Sequence, residues 1–112
     1  MSEVPETVGA AAGSFRSAVR FDPREAVVVT VTSDRGTTVF VVCLEPDQGL
    51  PRHPAPGELT LLVIEGRPVI TVADKRYATD PGDVLVVAAG AIHALRADTD
   101  RAIVVGVLTG RT

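Results

Sequence analysis

Runs of valine, isoleucine, leucine and threonine alternate along this chain with clusters of glycine, proline, aspartate and serine. β-Branched side chains fit a pleated surface and crowd a helix, so each run predicts a strand. The predicted strands are Ala26 to Thr32, Thr37 to Glu45, Leu59 to Glu65, Val69 to Ala73, Arg76 to Thr79, Asp83 to Ala88, Ile92 to Ala97 and Arg101 to Leu108. Between them, Ser33-Asp34-Arg35-Gly36, Glu65-Gly66-Arg67-Pro68, Asp80-Pro81-Gly82-Asp83 and Ala97-Asp98-Thr99-Asp100 supply turn chemistry. Most connections are hairpin-short, which predicts antiparallel pairing. Pro46 to Glu58 is longer and rich in proline and glycine, and it reads as a functional loop.

Alternation fails in an informative way. Leu59-Thr60-Leu61-Leu62-Val63-Ile64, Val84-Leu85-Val86-Val87 and Ile103-Val104-Val105-Gly106-Val107-Leu108 are apolar on both faces, as strands covered on both sides are. An isolated small sheet protein shows one wet face, so the outer cover is expected from a second copy of the chain, a homodimer, or from Met1 to Arg20. Glu6 to Val19, small and polar, reads as a short helix or an arm. The chain therefore divides into an N-terminal arm, 1–25, that contributes to a dimer, and one β domain, 26–112.

Composition narrows the partners. The 112 residues suffice for one core. The formal net charge is −3 with both signs interspersed, which offers no basic track for a nucleic acid. No apolar run reaches bilayer length and Met1 to Ala12 lacks the pattern of a secretory signal, so no membrane partner and a cytoplasmic location are expected. The lone Cys43 sits in the run Val39-Phe40-Val41-Val42-Cys43-Leu44 and reads as a small buried hydrophobe. Asp83 reads as a turn cap, and Phe40 and Tyr77 as packing residues.

The candidate chemistry rests on the chain's two histidines, one in Arg52-His53-Pro54-Ala55-Pro56-Gly57-Glu58 and one in Gly90-Ala91-Ile92-His93-Ala94-Leu95. Imidazole titrates near neutral pH and ligates transition metals, so a pair at strand ends is a candidate metal or acid–base site. If His93 faces inward, Leu95 and Ala97 share its side while Ile92, Ala94 and Arg96 face away. Leu59, Leu61 and Val63 then line the cavity that His53 enters. The implied pocket is apolar, suited to an apolar or aromatic small molecule with one polar handle. Burial in such a pocket keeps imidazole neutral, the form that binds metal or takes a proton.

These two segments resemble the paired motifs of the cupin superfamily, over roughly Leu44 to Leu108. The second cupin motif runs glycine, five residues, proline, one residue, glycine, two residues, histidine, three residues, asparagine. Here Gly82, Gly90 and His93 hold their places, while Ala88 replaces the proline and Ala97 the asparagine. The first motif closes on Gly66, and counting back from it His53 keeps the first histidine, Ala55 stands for the second and Leu59 for the glutamate. The resemblance implies an all-β fold, a double-stranded β-helix or jelly-roll barrel over 26–112 behind the short arm. It further implies a divalent transition metal (Zn, Fe, Mn or Ni) held by His53, His93 and Glu58, and a small-molecule ligand. Glu58 is one residue off register and serves only if the chain bulges between Pro54 and Gly57 to turn it inward. Three functions fit: a metal-binding cupin with positions open for oxygenase, isomerase or lyase chemistry, a metal-free enzyme using His53 and His93 for acid–base work, and a binding or sensor module without turnover. The first is the leading expectation.

Overall fold

Arg35 (φ 51°) and Gly36 (φ 79°) both occupy the left-handed region, the geometry a two-residue hairpin turn needs to match the right-handed twist of its strands. They join β1 (Val27–Asp34) to β2 (Thr37–Leu44), with Val28 opposite Val42 and Asp34 opposite Thr37. The structure, a computed structural model, describes residues 9–110. Beside β2 lies β9 (Ala102–Thr109), then β4 (Glu58–Glu65) and β7 (Val84–Val87), giving a five-stranded sheet in the order β1-β2-β9-β4-β7. The second sheet has four strands in the order β3 (Gly49–Pro54), β8 (Ile92–Arg96), β5 (Val69–Val72) and β6 (Lys75–Ala78). Every pairing is antiparallel. This is the all-β jelly-roll architecture that the sequence pattern and the resemblance imply.

The core lies between the sheets. On β4 burial follows strand parity: Leu59, Leu61 and Val63 are buried, and Glu58 and Glu65 at the ends are exposed. Leu44, Ile70, Val87, Leu95 and Val104 meet them from the other strands in one continuous cluster. Each such side chain contributes about 1.5–3 kcal/mol by leaving water.

A second cluster forms on the outer face of the five-stranded sheet, where Val41, Cys43 and Ile103 pack with Ala18, Val19 and Phe21. Ala18 belongs to the single short helix of the described residues, α1 (Phe15–Ala18). The arm thus covers the β1–β2 end of this apolar face, while Val84 and Val86 of β7 stay exposed. The helix is much shorter than Glu6 to Val19; Met1 to Val8 lie outside the described residues, as do Arg111 and Thr112. Cys43 is fully buried, and burial pushes its thiol pKa up despite nearby Arg20, which keeps it an inert hydrophobe. Asp83 accepts a hydrogen bond from the Asp80 N–H at 2.9 Å, the turn cap expected of it.

One expectation needs correction. Pro46 to Glu58 is not a free loop, because its centre is the strand β3. Two prolines at positions 51 and 54 break the strand signature, since neither can donate to a ladder. They are tolerated here because β3 is an edge strand with a bulge between Leu50 and His53.

Candidate functional site

The bulge in β3 positions the first histidine. Leu50 pairs with Leu95 and His53 pairs with His93, so Pro51 and Arg52 on β3 together oppose Ala94 on β8. Leu50 and His53 are three apart, and regular alternation sends them to opposite faces. The extra residue resets the parity, so both line the barrel interior. A bulge near this histidine is the device considered for Glu58, but it lies earlier in the chain and serves His53 instead.

His93 needs no such device. On β8, Ile92 and Arg96 are exposed and His93 and Leu95 are each only 3% exposed, which is the expected parity. Beyond the strand ends the Ala55 N–H donates to the Ala91 carbonyl at 3.0 Å, and the Gly90 N–H donates to the Ala55 carbonyl at 2.8 Å. These bonds clamp the two histidine segments together. The ring centroids lie 4.3 Å apart with the planes tilted by 53°.

The hydrogen bonds of the rings assign their tautomers. His53 Nδ1 lies 2.7 Å from the Pro51 carbonyl and His93 Nδ1 lies 3.3 Å from the Ala91 carbonyl. A carbonyl only accepts, so each Nδ1 carries a proton, and a ring that is neutral then keeps its lone pair on Nε2. Burial, opposed by the Ala91 carbonyl and reinforced by neighbouring His53, holds the His93 pKa below the usual imidazole value. His93 is therefore the deep, neutral member of the pair, and His53, an exposed residue, stands at the mouth.

Around them is a cavity of about 490 Å³, the volume of a typical small-molecule site. Its walls include Phe40, Leu59, Leu61, Leu95 and Leu108, with Val28 of β1 at the rim and Thr30 and Thr38 as polar exceptions. Leu59 and Leu61 fall where strand parity places them. Missed from the sequence were Leu50, Pro51, Pro54 and Pro56, because a loop assignment gives no parity. The signal that would have found them is His53 itself, an inward residue that needs a strand to carry it.

Glu58 does not join the two histidines. It is the exposed first residue of β4, one step out of phase with buried Leu59. The two other motif positions are apolar, with Ala55 and Leu59 only 3% and 4% exposed. Among the described residues no group of three or more His, Cys, Asp or Glu side chains converges to hold a metal ion. Metal sites that keep a position open for chemistry use three protein ligands, so the donors present here do not fit a resident divalent metal.

Comparison with known proteins adds a family and a fold. Residues 40–109 match a family model described as the cupin domain. Among solved structures, an RmlC-like cupin protein from Desulfovibrio desulfuricans is 29% identical, with a TM-score of 0.71 over 80% of this chain and 88% of that one. A protein from Thermus thermophilus is 21% identical, with a TM-score of 0.82 over 90% of this chain and 98% of that one. A cupin superfamily protein from Desulfitobacterium hafniense is 19% identical, with a TM-score of 0.75 over 83% and 84% of the two chains. No curated protein matches the chain.

Proposed function

The chain belongs to the cupin domain family, and on that premise we propose that its barrel binds a small, largely apolar molecule that presents one hydrogen-bond donor to His53 and His93. The observation that carries this reading is the pair of imidazoles, each anchored through Nδ1 to a main-chain carbonyl, within largely apolar walls. Anchoring leaves the Nε2 lone pair of neutral His93 as an acceptor for the ligand. The complementary ligand group is a donor such as a phenol, an alcohol or a protonated acid. A divalent metal is not part of this reading, because Ala55 and Leu59 occupy the positions from which further donors would come.

The lowered pKa of His93 favours one second reading, in which the same lone pair removes a proton from the bound molecule. Binding without turnover and proton abstraction share the site, and both require a donor on the ligand. We further propose that a second copy of the chain covers the apolar outer face that α1 leaves open.

The test compares 1-naphthol with 1-methoxynaphthalene, probes of nearly equal apolar area of which only the first donates. Fluorescence titration is expected to show at least a tenfold preference for the naphthol, or about 1.4 kcal/mol. His93→Ala removes that preference while the methoxy probe still binds. Equal affinities in the unmodified protein would sink the donor-binding reading, and failure of both probes to bind would sink the apolar site.

A further inference from the structure

The outer face of the four-stranded sheet carries charge that the barrel interior does not use. Arg52 on β3, Arg96 on β8 and Arg76 on β6 surround two short side chains, Ala94 and Thr71. Ala94 pairs with Thr71 across β8 and β5, and Thr71 pairs with Arg76 across β5 and β6. The β3 bulge sets Arg52 opposite Ala94. Strands about 4.8 Å apart hold the backbones of Arg52 and Arg76 roughly 14 Å from each other. Short residues between long ones leave a trough of about 600 Å³.

Charge within the trough is unbalanced. Arg96 contacts Asp47 at 3.6 Å, with both side chains more than half exposed, and Asp98 also lines the rim. Among the described residues, Arg52 donates to the main-chain carbonyl of Ala73, at 3.5 Å. Among the described residues no carboxylate forms an ion pair with Arg52 or Arg76. Three guanidinium groups against two carboxylates make a local positive surplus on a chain whose net charge is −3.

We propose that this trough, separate from the barrel interior, binds a phosphoryl group carried by a small molecule. A guanidinium offers a planar fork that meets two oxygens at once, and a phosphoryl dianion has enough oxygens and charge for more than one fork. One carboxylate does not. The Thr71 hydroxyl on the floor is a further donor. The site is a single short trough rather than a basic track, so its ligand is a small molecule and not a nucleic acid backbone.

Amide NMR titration with pyrophosphate, at constant ionic strength and with KCl as the control, tests the proposal. Saturable shifts are expected at Thr71 and Ala94. Half-saturation moves up at least tenfold in Arg52→Ala and in Arg76→Ala. Arg67→Ala, whose guanidinium pairs with Asp80 at 3.1 Å, leaves it unchanged. Arg76→Lys keeps the charge without the fork and recovers only part of the binding. The same spectra report the fold of each variant. Shifts that KCl reproduces, or that persist in the Arg52→Ala, Arg76→Ala double variant, overturn the site.

Discussion

His93 spends stability to stay neutral, and the pH dependence follows from that. In the unfolded chain its imidazole titrates near the ordinary value of about 6.5; in the fold, burial holds it lower. Above that ordinary value both states are neutral and stability is undiminished. As pH falls through it, the unfolded chain takes up a proton that the folded chain refuses, so stability declines until pH passes the folded pKa. Asp22, whose carboxyl is lowered by its hydrogen bonds to Arg24, acts only below the usual carboxylate value of 3.8, outside this window. Urea midpoints are therefore expected to fall between pH 7 and pH 5, and His93→Gln should flatten that stretch of the profile. An unchanged slope in the variant would place the titrating group elsewhere. Two residues are thus readable at different depths from the sequence. His93 follows plain alternation on β8, whereas Glu58, drawn toward the site by the resemblance, is kept out by the parity of its own strand.

At the level of the strands, the β-branched runs announce β1, β2, β4 and β9 directly, because their valines, isoleucines and threonines follow one another almost without a break. β3 was illegible for a physical reason: Pro51 and Pro54 withhold ladder donors, and the bulge at Pro51-Arg52 cancels the period-two signal. Turns were more legible than that edge. Gly66, at the β4 end, has φ +81°, and a Cβ added there would sit 2.1 Å from the Arg101 carbonyl oxygen. That oxygen is main chain next to β9 and has no flexible side chain to move aside. Gly66→Ala is expected to cost at least about 2 kcal/mol, from left-handed strain plus backbone displacement. Gly82, at φ +93°, has nothing within 4 Å of the place a Cβ would take, so Gly82→Ala should cost only about 1 kcal/mol. Equilibrium urea unfolding separates the two. Equal losses would mean that the β4 turn and the Arg101 carbonyl are not in contact.

For the molecule as a whole, the two outer faces of the barrel point to different neighbours. One barrel hosts many chemistries, so these faces say more about partners than the fold does. The four-stranded sheet turns arginines outward, and water or a small anion satisfies them. The five-stranded sheet turns apolar residues outward, and α1 covers its β1–β2 end, in the cluster of Val41, Cys43 and Ile103. At its far edge Val84 and Val86 are 57% and 65% exposed, beside outward-facing Thr60 and Leu62 of the paired strand β4. These four side chains carry no charge, and exposed Glu58 stands at the end of the face, so the patch they form asks for no oppositely charged partner. Two copies related by a twofold axis must present the same surface to each other, and an uncharged apolar surface meets that condition without like-charge repulsion. Val86→Glu puts identical carboxylates face to face across such an axis while leaving the core residues Leu85 and Val87 in place. Sedimentation velocity is expected to show a dimer for the unmodified chain and a monomer for Val86→Glu, with far-ultraviolet circular dichroism unchanged. A monomer in both would leave Val84 and Val86 exposed to water and remove the second copy as the cover for this sheet.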